Sequence, residues 1–182
     1  MFKRLWGIIL IIIVIIIGVN FKNIVKIFYP IQYESTVLKY ANEYELDPYL
    51  IYSLIRVESK FDSMAISPKD ARGLMQITPQ TGKYISKLLS EKDFTEEQLL
   101  NPDTNIKYGA FYLKKLFNDF GNDMNSALAA YNGGEGNVRK WIKKNNAGQE
   151  SLNPADIPFN ETRQYLKRVN KYLAIYKFLY SN

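Results

Sequence analysis

The chain has 182 residues, 24 of them basic and 18 acidic, is 47% hydrophobic, and contains neither cysteine nor histidine. That length holds one domain of ordinary size plus a short extension. Without cysteine or histidine there are no disulfides, thiol nucleophiles, Ser-His or Cys-His couples, or metal sites ligated by those residues, so acid-base chemistry falls to carboxylates, tyrosines or lysines.

Residues Leu5 to Val19 form an unbroken apolar run behind Lys3 and Arg4 and ahead of Asn20, Phe21 and Lys22. The run lies between a signal-peptide core and the roughly 20 residues of a spanning helix. Asn20-Phe21-Lys22-Asn23-Ile24 lacks the small residues of a cleavage site, so residues 1–22 read as an uncleaved signal anchor and transmembrane helix in preference to a cleaved signal or a buried helix. Lys3 and Arg4 face Lys22 and Lys26 across the run and barely orient it. Its N-terminal position favours export, which predicts a single-pass protein of the cell membrane with its body on the extracytoplasmic side. These four cations precede any acidic residue and leave the remainder with 20 basic against 18 acidic side chains. A nucleic-acid-binding protein would carry its basic patch on the folded domain, so that class is excluded.

Residues 23–32 read as a juxtamembrane linker containing Pro30, and residues 33–182 as one all-α domain with no repeat and no strand pattern longer than a few residues. Asp47-Pro48 pairs an N-cap with proline at the first helical position and opens a helix to about Ser59. Thr78-Pro79 and Asn101-Pro102 repeat that grammar. The helix from Pro102 carries Ile106, Ala110, Leu113 and Phe117 at helical spacing and stops at Gly121. Further helices follow from Met124 to Tyr131, from Glu135 to Lys144 with Val138, Trp141 and Ile142 inward, and from Glu161 to about Leu179 with Tyr165, Val169, Tyr172 and Tyr176. Asn145 to Phe159 reads as a loop.

At 100° per residue, Ile51, Leu54 and Ile55 share one side of the helix after Pro48, and Glu58 projects into that stripe. Desolvation and the negative end of the helix dipole both disfavour a charge there, which predicts a raised pKa and a carboxyl suited to general acid catalysis. On the residues alone the plainer alternative stays open: a glutamate whose stem packs on the stripe while its head reaches water or an arginine.

Glu58-Ser59-Lys60-Phe61, Gly73-Leu74-Met75-Gln76, Ala130-Tyr131-Asn132-Gly133-Gly134 and Glu161-Thr162-Arg163-Gln164-Tyr165 occur in that order. Together they resemble the ordered motifs of the soluble lytic transglycosylase (SLT) catalytic domain, over about Tyr33 to Tyr176. The resemblance implies a lysozyme-like multi-helix domain with a groove for peptidoglycan glycan strands, and no cofactor or metal. It implies cleavage of the β-1,4 bond between N-acetylmuramic acid and N-acetylglucosamine without water. Glu58 would protonate the glycosidic oxygen and then accept the muramoyl C6 hydroxyl proton, leaving a 1,6-anhydro end. It also implies substrate-binding roles for Ser67, Gln76, Tyr131, Asn132, Glu161 and Tyr165, with Gly73 letting the backbone approach the sugar.

A hydrolase of this type needs two carboxylates. Asp62 and Asp70 are the nearest candidates, and both read better as solvated or capping residues. Thr78 stands where the family often has methionine, and it fits an N-cap. Two rivals remain: a goose-lysozyme-type muramidase that delivers water, and a noncatalytic wall-glycan-binding scaffold near cell-wall or secretion-complex proteins.

Overall fold

Three of the helices start where an N-cap side chain meets a proline. In the computed structural model, which describes residues 2–145 and 151–181, the side chains of residues 2–5, 8–14, 16 and 145 excepted, the Asp47 carboxylate accepts from Tyr49 N–H and opens α3 (Pro48–Glu58). The Thr78 hydroxyl accepts from Thr81 N–H and opens α4 (Pro79–Leu88), and Asn101 caps α5 (Pro102–Asp119). Proline costs nothing at these positions because the first amide of a helix has no internal partner. An unforeseen cap, Asp123, accepts from Ser126 N–H at 2.8 Å and opens α6 (Met124–Gly133). The remaining helices are α1 (Phe2–Phe28), α2 (Glu34–Glu43), α7 (Glu135–Asn145) and α8 (Asn160–Tyr180).

The sequence did not single out α2, which buries Val37, Tyr40 and Ala41. Two short 3-10 turns, Glu96–Leu100 and Pro154–Asp156, complete the described elements. The expected loop over Asn145 to Phe159 falls partly on 146–150, which lie outside the described residues. Its described part carries the second of these turns and buries Leu152 and Ile157. Helix α1 is continuous to Phe28, through much of the stretch read as linker. Among the described residues no helix is long and apolar enough to cross a membrane, and the side chains of most of the run Leu5 to Val19 lie outside them.

Helix α3 is central. The predicted stripe of Ile51, Leu54 and Ile55 is fully buried, but so are Leu50, Tyr52 and Ser53, so six consecutive residues are covered on every side. A helix buried around its whole girth belongs inside a bundle. It packs chiefly on α8, while α6 packs on α5, α7 and α8, and α2 closes over α3 and α5. Each fully buried aliphatic side chain here contributes about 1.5–3 kcal/mol from apolar area removed from water. On α5, Ile106, Ala110 and Leu113 are buried as predicted, whereas Leu116 replaces Phe117 as the fully covered residue in the last turn.

Between α3 and α4 the backbone forms no regular element. Arg72 makes isolated antiparallel bridges to Ile66 and Ile77, and no longer strand occurs among the described residues. The fully buried Asn105 of α5 holds this segment: its amide nitrogen donates to Arg72 O and Leu99 O at 2.8 and 2.7 Å, and its oxygen accepts from Met75 N–H at 2.7 Å.

Candidate active site

Helix α3 ends at Glu58, and the next residue fastens that end. The Ser59 hydroxyl donates to Leu74 O at 2.8 Å, tying the helix terminus to the Gly73-Leu74-Met75-Gln76 turn. Gly73 has φ of +73°, and a Cβ there would sit 2.3 Å from Leu99 O and 2.5 Å from the Asn105 amide. The glycine is therefore required by packing against Asn105 and Leu99, whatever it also contributes to the approach of a sugar. Non-glycine residues at Lys60, Phe61, Asp70 and Gln76 also have positive φ. Such strain, of order 1–3 kcal/mol each, persists only where surroundings fix it and concentrates at functional sites.

Gln76 uses both of its amide hydrogens internally, donating to Ala65 O at 3.2 Å and Gly73 O at 3.0 Å. Its side-chain oxygen is left as an acceptor. Ser67 is the complement: its oxygen accepts from Lys69 N–H and Ala71 N–H, so its hydroxyl proton is available to donate. From the opposite side, Tyr131 at the end of α6 donates to Met75 O at 2.9 Å. The neighbouring Asn132 amide makes no side-chain hydrogen bond to the described residues. Gly133 lets α6 approach Thr162 and Trp141, where a Cβ would come within 3.2–3.3 Å. That contact seats the end of α6 on α8 and α7.

Glu58, Ser67, Gln76, Tyr131, Asn132 and Glu161 line one cleft of about 350 Å³, with Pro68, Lys69, Ala71 and Thr78 completing its wall. Tyr165 lies behind Glu58, fully buried, and donates to Glu58 Oε1 at 2.7 Å. Glu161 is exposed, one turn earlier on the same face of α8. Although Glu58 as a whole borders the cleft and is partly accessible, protein crowds its carboxyl. Burial raises its pKa from 4.5 to about 7, against the Tyr165 hydrogen bond and the Arg168 charge, which lower it, and with the Glu161 charge raising it. The Tyr165 hydroxyl is itself held well above its usual value, by burial first and the Glu58 charge second, so it stays protonated as a donor.

The transglycosylase SLT domain family matches residues 35–153. The chain belongs to this family. It is 37% identical over 153 residues to the soluble lytic murein transglycosylase of Escherichia coli strain K12, covering 82% of this chain and 24% of the relative. It is 31% identical over 160 residues to the membrane-bound lytic murein transglycosylase C of Photorhabdus laumondii, covering 76% and 45%. Among solved structures, the 70-kDa soluble lytic transglycosylase of Escherichia coli superposes with a TM-score of 0.77 at 34% identity, over 85% of this chain and 25% of that one. An inactive variant of lytic transglycosylase Slt from Pseudomonas aeruginosa gives 0.76 at 36% identity, over 84% and 25%. The chain thus spans about a quarter of the length of the first of these curated relatives.

Glu161 and Tyr165 fall beyond the residues the SLT family matches, and α8 carries Glu161 to the cleft and Tyr165 to the carboxyl of Glu58. Asp62 and Asp70 stay outside it. Asp62 accepts from Met64 N–H, the local capping expected of it, whereas Asp70 forms a two-point ion pair with Arg72 that the capping reading did not include. Thr78 is an N-cap that also lines the cleft. The sequence reading missed Ser59 as a fastener, Asn105 as the pin of the turn, and Arg168, one turn past Tyr165 on α8. Asn105 left a signal, being an amide beside Ile106 on the buried side of α5. Ser59 left none, because its partner is a backbone carbonyl 15 residues away.

Proposed function

We propose that this chain is a membrane-anchored peptidoglycan lytic transglycosylase, cleaving the β-1,4 bond between N-acetylmuramic acid and N-acetylglucosamine with a 1,6-anhydromuramoyl product. The observation that carries this reading is the Glu58 carboxyl, buried in the cleft floor, raised to about 7, and gripped at one oxygen by Tyr165. With Oε1 accepting from Tyr165, the proton of neutral Glu58 sits on Oε2. That proton passes to the glycosidic oxygen as the C1–O bond breaks. The resulting carboxylate then takes the proton of the C6 hydroxyl while its oxygen closes on C1, so no water enters and Glu58 is regenerated. A group with pKa near the working pH serves both steps.

The cleft's other polar atoms support a neutral, hydroxyl- and acetamide-bearing ligand: the Ser67 hydroxyl as donor, the Gln76 oxygen as acceptor, and the Asn132 amide as both. The relatives named as lytic murein transglycosylases support the same substrate class. The continuous helix α1 and the apolar run Leu5 to Val19 support the anchor, with the cleft on the extracytoplasmic side.

Hydrolysis is a second reading with one observation behind it, since Glu161 supplies a second carboxylate at the cleft rim. Mass analysis of products from intact peptidoglycan separates the two. Muropeptides lighter by one water than reducible muramic acid ends are expected, and reducible ends alone would overturn the transglycosylase assignment. A scaffold without activity would release neither.

A further inference from the structure

The part of α1 beyond the apolar run does not leave the domain as a slack tether. Lys22 lies over the Phe178 ring with its ammonium 4.9 Å from the centroid, and Lys26 over Tyr180 at 4.6 Å. The rings of Tyr29 and Tyr172 meet at 6.1 Å, and Arg56 of α3 sits 5.8 and 5.9 Å from the same two rings. Backbone carbonyls complete the clamp: Tyr180 O–H donates to Tyr29 O at 2.9 Å, and Arg56 donates to Phe28 O at 3.3 Å. Residues 22 to 29 thus meet α8 at 172 and at 178–180, and the C-terminal end of α8 lies beside Lys22 and Lys26, the first of them three residues past the apolar run.

That end is unusually apolar for a surface. Phe178 is 55% exposed, and Phe21, Ile24, Ile27 and Phe28 are also exposed beside Lys22 and Lys26. Aromatic rings and snorkelling lysines are the side chains that settle at the boundary between hydrocarbon and headgroups. The collar is continuous along α1 with the run Leu5 to Val19, and its two lysines complement negative headgroups.

We propose that Phe178, Tyr180, Lys22 and Lys26, with the exposed apolar residues of α1 from Phe21 to Phe28, form a collar that seats the catalytic body on an anionic bilayer surface. This rests on the reading of α1 as the anchor and adds to it: the body itself touches the membrane, through the end of α8. Glu161 lies 17 residues from Phe178 on that helix, about 25 Å along its axis at 1.5 Å per residue. The cleft is thereby carried at the end of α8 remote from the lipid.

The chain has no cysteine, so single labels can be introduced without background. Full-length protein carrying a fluorophore at Ser181→Cys or at Asn160→Cys, the two ends of α8, is reconstituted into vesicles of zwitterionic lipid with or without phosphatidylglycerol. Quenching by headgroup-labelled lipid is then read at each position. Severalfold stronger quenching at 181 than at 160 is expected, enhanced by phosphatidylglycerol, and reduced by the Lys22→Glu/Lys26→Glu pair and by Phe178→Ser. Equal quenching at the two positions in protein that still floats with vesicles overturns the collar and leaves the anchor standing. Equal quenching with and without phosphatidylglycerol overturns the anionic assignment. Protein that fails to float overturns the anchor and the collar together.

Discussion

Replacing Glu58 by glutamine removes a charge that the folded state tolerates poorly, and the consequence for stability can be worked out from its surroundings. Burial moves the carboxyl from 4.5 to about 7. Below pH 4.5 the group is neutral folded and unfolded, so it costs nothing. Between 4.5 and 7 the unfolded chain ionises while the folded chain does not, and stability falls steadily as pH rises. Above about 7 the full cost is present, about 3 kcal/mol at 1.36 kcal/mol per pH unit. The substituted amide keeps an oxygen that accepts from Tyr165 and has no charge to bury. For a domain of this size about 3 kcal/mol corresponds to roughly 6–12 °C in Tm. Thermal melts of the full chain in detergent should therefore show Glu58→Gln more stable than the parent by that margin at pH 8.5, converging near pH 4.5. Cleavage of peptidoglycan should fall by several orders of magnitude in the same variant. A stability difference that does not change between pH 4.5 and 8.5 would refute the raised pKa, and undiminished cleavage would refute the catalytic role.

The other expectations follow from the same geometry. With protonated Glu58 as the proposed acid, kcat/KM on peptidoglycan should fall about tenfold per pH unit above about 7, read from initial rates of muropeptide release. Tyr165→Phe removes a hydrogen bond that lowers the Glu58 pKa, so that alkaline limb should move upward, with a loss of about 10- to 100-fold in kcat for one bond to an ionised group. Gly73→Ala would place a methyl 2.3 Å from Leu99 O at a positive φ, and urea melts should show a loss of about 3 kcal/mol or more.

Local grammar made the helices legible. A capping side chain followed by proline marks a start at Pro48, Pro79 and Pro102 with no tertiary information, because both effects act within one turn. Glu58 was legible for a related reason, as a carboxyl on a stripe of Ile51, Leu54 and Ile55 contradicts its own neighbourhood. That neighbourhood could not reveal that α3 is buried around its whole girth, since this depends on α2 and α8 closing over it. The same limit applies to Gly73. A glycine in a site motif reads naturally as room for ligand, whereas the neighbour that needs the room is Asn105, 32 positions along the chain. The free valences of Gln76 and Ser67 were equally hidden, because both are defined by what the backbone of the 65–73 turn consumes.

If α1 is the anchor proposed above, its clamp on α8 also bears on how deep into a wall the proposed enzyme would cut. A domain on a loose leash samples a hemisphere whose radius grows with the leash, and any strand inside it is exposed to attack. A body held by Arg56, Tyr180 and two lysine-ring contacts has no slack to release. Anchored as proposed, it would diffuse sideways and rotate while its cleft stayed at one altitude. Only the layer of glycan at that altitude would be thinned, and strands farther out would be spared, so the depth of damage is bounded by the dimensions of the protein.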